Sequence, residues 1–238
     1  MNVSMLITSF NRKRYFITTW PSIREQLIEG DELVVVEDGH TDDWRDFLET
    51  LNVKYTYVKT NNDKYRSGSL AKNMALKQSE NPIIIINDPE VVHITPCITT
   101  MRKLLTEEGK QFLVPGTLYE GQFESQDYTK APIRKHSQAP FVGGVRREEL
   151  MDINGWDERF TFWGNDDNDL MDRLGMMGTK HVVLDELEIH HQWHPRPPQA
   201  ALGDYNEPYL YEKDKPAIAN KYKEWGSITG IRYAKRKL

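Results

Sequence analysis

A single cysteine, Cys97, stands among the 238 residues, so there is no intrachain disulfide framework and nothing points to an oxidising compartment. Cytosol is therefore the expected location. Long apolar runs are missing too: the opening MNVSMLITSF is too short for a signal-peptide core and far too short to cross a bilayer. No block of like charge suggests a disordered tail, and a net charge of −5 argues against a mainly electrostatic nucleic-acid binder, while a local basic groove stays open. There is no Walker P-loop, no GxGxxG after a strand and no GxSxG, which removes the commonest nucleotide-hydrolysing, dinucleotide-binding and serine-hydrolase readings. Internal repeats and low-complexity segments are absent as well.

What is present is the composition of an ordinary globular protein, 38% hydrophobic and 28% charged, long enough to bury one substantial core. Apolar β-branched runs alternate with helix-period segments. Strands are expected at Val3 to Thr8, Glu32 to Val36, Val53 to Val58, and at the four isoleucines Ile83 to Ile86, whose continuous apolar pattern suits a strand covered on both faces. Helices are expected between them, at Phe16 to Ile28, Trp44 to Leu51, Ser67 to Gln78 and Pro96 to Glu108. Such alternation implies an α/β fold with a mostly parallel central sheet flanked by helices, in a single domain. The polar stretch Tyr119 to Ala139 reads as a loop or irregular hairpin. A helix at Arg147 to Ile153 and a strand near His181 to Leu184 follow, and the tail from His194 reads as a long loop with one or two closing helices. The basic end IRYAKRKL is expected as a solvated terminus, with contact to an anionic membrane or acidic partner as the competing reading.

In an open α/β sheet, ligands gather at the carboxyl ends of the strands. Those ends carry Thr8, Ser9 and Asn11; Glu37, Asp38 and Gly39; Asn87, Asp88 and Glu90; and His190, His191 and His194. Two carboxylates one residue apart after a buried strand, as in NDPE, suit a hard divalent ion carrying a phosphate. Taken alone, the same residues make an ordinary turn. The histidines of LEIHHQWHP suit manganese-like or zinc-like ions, with a structural role as the alternative. Arg66, in Arg66-Ser67-Gly68-Ser69 ahead of the next helix, is an anion seat, with serine capping of the helix that begins near Leu70 as a compatible structural reading.

The stretch FTFWGNDDNDLMDRLGMMG places Asp166, Asp167, Asp169 and Asp172 behind an aromatic and glycine cluster. Carboxylates in a first helical turn meet the helix dipole favourably without any catalytic duty. Trp156, Phe160 and Trp163 suit an aromatic binding platform, or core packing.

Together, VSMLITSFNR, VVVEDGHTDD, SGSLAKNMALKQS and FVGGVRREELMDINGWDERFTFWGNDDNDLMDRL resemble the GT-A nucleotide-sugar glycosyltransferases, family 2, with a C-terminal half like that of β-1,4-galactosyltransferases and bacterial chondroitin-polymerase domains. The likeness covers Val3 to Pro195. It implies a GT-A fold in which residues 1–115 bind the nucleotide sugar, 116–195 form the acceptor and catalytic half, and 196–238 form a closing loop and helical tail. It also implies an inverting, metal-dependent hexosyl or N-acetylhexosaminyl transfer from a UDP-sugar to an acceptor hydroxyl, a glycan being expected and a modified nucleic-acid base not excluded. Thr8, Asn11, Asp38, Arg66 and Asp88 would line the donor nucleotide. Asp88 and Glu90 stand where the family has DxD, with glutamate replacing the last aspartate, and His191, with His194 as fallback, would complete a manganese or magnesium site. Asp167 takes the place of the catalytic base, Asp166 would hold acceptor hydroxyls beside Trp163, Trp156 and Phe160, and the proline-rich segment after His194 would close over donor. A nucleotidyltransferase and a non-catalytic carbohydrate-binding protein are the rivals.

Overall fold

The computed structural model describes residues 1–39, 41–60, 62, 68–120, 127–135, 141–162, 164–195 and 206–235. The chain opens with β1 (Val3–Ser9), α1 (Lys13–Arg24), β2 (Glu32–Glu37), α2 (Arg45–Glu49), β3 (Lys54–Thr60), α3 (Gly68–Gln78) and β4 (Ile83–Asn87). It continues through β5 (Val91–His93), α4 (Cys97–Glu107), β6 (Gln111–Tyr119), β7 (Ile133–Lys135), β8 (Val142–Arg146) and α5 (Arg147–Asp152). Helix α6 (Asp166–Met176), β9 (Lys180–His191), the short α7 (Glu207–Leu210) and β10 (Gly230–Lys235) complete it. The strands form one sheet in the order β10-β3-β2-β1-β4-β8-β6-β9-β5, with β7 paired to β6.

Period-two alternation in buried strands supplies both faces with apolar side chains. Met5, Ile7, Leu33, Val35, Ile83 and Ile85 meet α1, α2 and α4 on one face through Phe16, Trp20, Leu48, Ile98 and Met101. Leu6, Val34, Val36, Ile84 and Ile86 meet α3, α5 and α6 on the other through Met74, Leu76, Leu150, Leu170 and Leu174. The isoleucine run is at most 4% exposed, and each such side chain contributes about 1.5–3 kcal/mol of transfer free energy before ordering costs. This satisfies the expectation of a strand covered twice.

Strands β3, β2, β1 and β4 run parallel, as the alternation of elements implies. The sheet as a whole is mixed, because β8 enters antiparallel between β4 and β6. Strand β9 then runs parallel to β6. Two antiparallel steps restore direction, so β6 and β9 end on the same edge as β1, β2, β3 and β4. The strand expected near His181 to Leu184 is one continuous twelve-residue β9 reaching His191. Sequence reading divides it because Asp185, Glu186 and Glu188 interrupt its apolar pattern.

In the Tyr119 to Ala139 stretch, β7 returns along β6 as the expected hairpin. The tail departs from expectation. Among the described residues its one closing helix is the four-residue α7, whereas Gly230–Lys235, at the basic end expected to be solvated, form an edge strand against β3. Tyr233 there stacks on Tyr57, with centroids 5.8 Å apart.

Candidate active site

The carboxyl edge of the sheet gathers three groups of polar side chains. The first organises the loops after β1 and β2. Buried Glu37 accepts from the backbone N–H of Asn11 (2.9 Å) and of Gly39 (2.7 Å) and from Trp44 Nε1 (3.0 Å). Burial pushes its carboxyl above the ordinary range, with these hydrogen bonds and one from Ser9 opposing the shift. One glutamate thereby shapes both loops. Asn11, in a left-handed conformation at φ 58°, accepts from Thr41 N–H. Asp38, 4% exposed, accepts from Thr60 Oγ1 and Asn62 Nδ2, both at 3.2 Å. Thr8, 9% exposed, completes the group, whereas Arg66 lies outside the described residues.

The second group arises from strand register. Val91 pairs with His191, so Glu90 arrives beside the end of β9, and Gln192 N–H donates to Glu90 C=O at 3.0 Å. Gln192 also fixes this edge to α1, donating to Tyr15 C=O and to Thr19 Oγ1, while Thr19 donates to Pro89 C=O. Ligand atoms of Glu90, His191 and His194 then lie within 4.8 Å of one another. Glu90 Oε1 is 2.9 Å from His194 Nε2 and 3.7 Å from His191 Nε2. Burial raises the Glu90 carboxyl, but hydrogen bonds and charge from the two imidazoles outweigh it and hold the group well below the usual carboxylate range. Arg12 closes the other side, its Nη2 3.2 Å from His194 Nδ1.

One carboxylate oxygen with two imidazole nitrogens is a donor set for a divalent transition ion. The second Glu90 oxygen, Oε2, is buried without a hydrogen-bond partner, which an ion would relieve. These residues fit a metal. Asp88 is not among the three. Its backbone N–H donates to Phe141 C=O, and its charge acts instead on Lys72. Nor is His190, which alternates to the opposite side of β9; burial, the largest cause, lowers its pKa to about 4.

The third group is the FTFWGNDDND stretch. Asp166 and Asp167 occupy the first turn of α6, after Asn165 in a left-handed conformation at φ 67°. From α3, Lys72 reaches both: its Nζ is 2.8 Å from Asp166 Oδ2 and 2.6 Å from Asp167 Oδ1. Burial pulls this ammonium's pKa down, yet Asp166, Asp167 and Asp88 overcome that and raise it above the ordinary lysine value. Lys72 side-chain exposure is 3%, against 16% for Asp166 and 28% for Asp167, so the cation is enclosed and the second carboxylate faces outward.

Trp156 is fully buried, which settles its two sequence readings for core packing. Its Nε1 donates to Asp167 Oδ1 at 3.4 Å, and Lys72 Nζ lies 5.6 Å from the centre of its ring. Phe160, 2% exposed, likewise packs inside, against Tyr209. Neither ring offers a face to a sugar, because both are spent on the core. Trp163 lies outside the described residues. Asp172 is an exposed helix-surface residue paired with Lys215, and Asp169 is a buried partner of Arg173.

Lys72 is the residue that sequence reasoning missed, and Glu37, named there among the strand-end residues, received no role of its own. A lysine between Ala71 and Met74 in a helix with buried residues around it is a signal for Lys72. A glutamate closing an otherwise apolar strand is the signal for Glu37.

Solved structures share this architecture. TarS 1–349 from S. aureus, in complex with UDP-GlcNAc, is 17% identical with a TM-score of 0.64, over 84% of this chain and 61% of that one. The mannosyltransferase PcManGT from Pyrobaculum calidifontis, with GDP-Man and Mn2+, is 17% identical with a TM-score of 0.59, over 84% and 59%. GalNAc-T7 with UDP, GalNAc and Mn2+ is 12% identical with a TM-score of 0.63, over 94% and 53%. The chain thus spans about 60% of the length of the first solved relatives, which at these identities share its GT-A fold. No curated protein sequence matches it. Residues 4–168, most of the chain, match the sequence pattern of one family, and on that ground the protein belongs to glycosyl transferase family 2.

Proposed function

We propose that this protein is a metal-dependent, inverting glycosyltransferase that moves a hexose or N-acetylhexosamine from a UDP-sugar to an acceptor hydroxyl, most simply that of a glycan. The observation that carries the reading is the juxtaposition on one sheet edge of a metal-ligand set, Glu90, His191 and His194, with an outward carboxylate, Asp167, held by Lys72. Family membership favours glycosyl over nucleotidyl transfer. Two of the similar structures hold uridine nucleotides and one a guanosine nucleotide, which supports UDP without making it the sole candidate.

Thr8, Asn11, Asp38 and Arg66 line the nucleoside and phosphates in this reading, and Asp88 joins them from the loop after β4. Glu90, His191 and His194 hold a divalent ion, manganese before magnesium because imidazole suits the softer ion. When bound, that ion neutralises charge developing on the departing diphosphate. Arg12 stands beside the same ligands and contributes positive charge there.

On the acceptor side, Asp167 takes the hydroxyl proton as the acceptor oxygen forms its bond to the anomeric carbon. The bond from that carbon to the diphosphate oxygen breaks on the opposite face, and UDP leaves with its electron pair. Attack opposite the leaving group inverts the anomeric centre. Asp166 holds neighbouring hydroxyls, Trp163 supplies the sugar platform, and Lys72 with Trp156 fixes the base. Two carboxylates against one lysine leave this side negative, which favours an uncharged acceptor over a nucleic acid. The likeness of residues 116–195 to galactosyltransferases supports galactose or N-acetylgalactosamine among the donors to test first. Among the described residues no helix is long and apolar enough to cross a membrane.

Calorimetry of UDP binding with and without Mn2+, followed by incubation with a panel of UDP-sugars and NMR of the product anomer, tests the proposal. Metal-enhanced UDP binding and an inverted product are expected. A retained anomeric configuration or metal-indifferent binding contradicts it.

A further inference from the structure

Asn206 stands at the N-cap position of α7, where an asparagine side chain ordinarily accepts from its own helix. It makes no such bond. Its amide turns instead to the chain ahead of α6: Oδ1 accepts from Thr161 N–H at 3.2 Å, and Nδ2 donates to Thr161 C=O and Gly164 C=O, each at 2.8 Å. Only 1% of Asn206 is exposed, so these bonds replace water.

The backbone it grips departs from easy conformations. Phe162, Gly164 and Asn165 all have positive φ, at 63°, 97° and 67°, and two of them are not glycine. The N-cap of α6, Asn165, supplies no side-chain cap of its own. A partner 42 residues beyond Gly164 therefore secures the chain that launches α6. The segment bearing Asn206 is itself anchored: Glu212 pairs with Arg159 at 2.8 Å, Lys215 with Asp169 at 3.1 Å, and buried Arg173 donates to Pro216 C=O.

We infer that Asn206 is a positioning residue for the acceptor side: by holding Thr161 and Gly164 it sets the direction in which Asp166 and Asp167 enter the site. The inference rests on the reading of Asp167 as base. Misplacing a reacting group by about 1 Å costs about 100-fold in rate. The donor side is held by other contacts, those of Glu37 and Gln192, neither of which involves Asn206.

Asn206→Ala removes all three bonds. Asn206→Asp keeps size and the acceptor oxygen but turns a carboxylate oxygen toward two carbonyls, and it decides the question should the alanine variant not fold. Hydrogen exchange supplies a readout free of substrate: amides of 161–170 should exchange at least about tenfold faster while those of 83–93 are unchanged. UDP binding with Mn2+ should stay within about twofold per folded molecule, and kcat/KM for acceptor should fall about 100-fold with donor KM unchanged. Unchanged exchange at 161–170, unchanged acceptor kcat/KM in a folded variant, or UDP affinity falling in the same proportion as transfer would each overturn the inference. Asp167→Asn in parallel separates the two ideas. If it keeps transfer while the Asn206 variants lose it, the base reading fails and the positioning of the acceptor turn stands.

Discussion

At the level of single side chains, the site depends on charges held where water cannot reach. Lys72 is the clearest case, since a buried ammonium between two carboxylates must be paired to remain. Lys72→Met leaves Asp166 and Asp167 facing each other. We expect a loss of about 2–3 kcal/mol in denaturant unfolding, below the full cost of breaking a fully buried pair because both partners touch solvent. The acid limb of the pH–rate profile should also move to higher pH, because a nearby cation favours the ionised base. An unmoved acid limb would detach Lys72 from Asp167. Buried His93 supplies a second check. Its Nε2 lies 2.7 Å from Asn87 Oδ1 and its Nδ1 3.1 Å from Gln26 Nε2, and burial lowers its pKa from 6.5 to about 3. The unfolded chain accepts a proton below 6.5 that the folded one refuses until about 3. Stability must therefore fall as pH drops through that window, by up to about 1.4 kcal/mol per pH unit from this residue. Thermal melts of wild type and His93→Gln from pH 7 to pH 4 should show a shallower decline in the variant.

Between elements, the site is assembled by contacts that cross long stretches of sequence. Asn73 on α3 accepts from Trp156 N–H and donates to Trp156 C=O, both at 2.8 Å, which ties the helix bearing Lys72 to the loop ahead of Asp167. Gly155 makes room for that contact: its φ is 65°, and a Cβ there would lie 2.1 Å from Asn73 Oδ1. Gly155→Ala should cost about 1–3 kcal/mol in a denaturant titration and reduce transfer more than UDP binding. A neutral substitution would show that this tie does not position the base. Such contacts explain what was legible beforehand. Strands β1, β2 and β4 announce themselves by continuous apolar runs, and their polar ends mark Asn11, Asp38 and Glu90. Lys72 stays hidden because a lysine in a helix ordinarily reads as solvated, and its partners lie 94 and 95 residues away. The edge strand β10 is hidden for another reason. Its pairing with β3 is decided by the open sheet edge and not by its own basic sequence.

Taken whole, the molecule gathers the two proposed chemistries on one edge of one sheet: the chain after β4 and the end of β9 bring Glu90, His191 and His194, proposed to hold the metal, and α6 brings Asp167, the proposed base, with Lys72 of α3 beside it. Each half should therefore fail independently. Glu90→Gln is expected to lower Mn2+-dependent UDP affinity at least about tenfold in calorimetry and to abolish the thermal stabilisation that UDP and Mn2+ give together, since ligands stabilise only in proportion to their binding. Retained stabilisation would place the ion elsewhere. The base should show the opposite profile, and it carries the central claim. The deciding measurement is the transfer rate of Asp167→Asn beside its UDP affinity in the presence of Mn2+. The expected result is a loss of at least about 100-fold in transfer with UDP affinity within about twofold of wild type. Transfer at near wild-type rate by the folded variant would contradict the assignment of Asp167 and, with it, the mechanism proposed for this sheet edge.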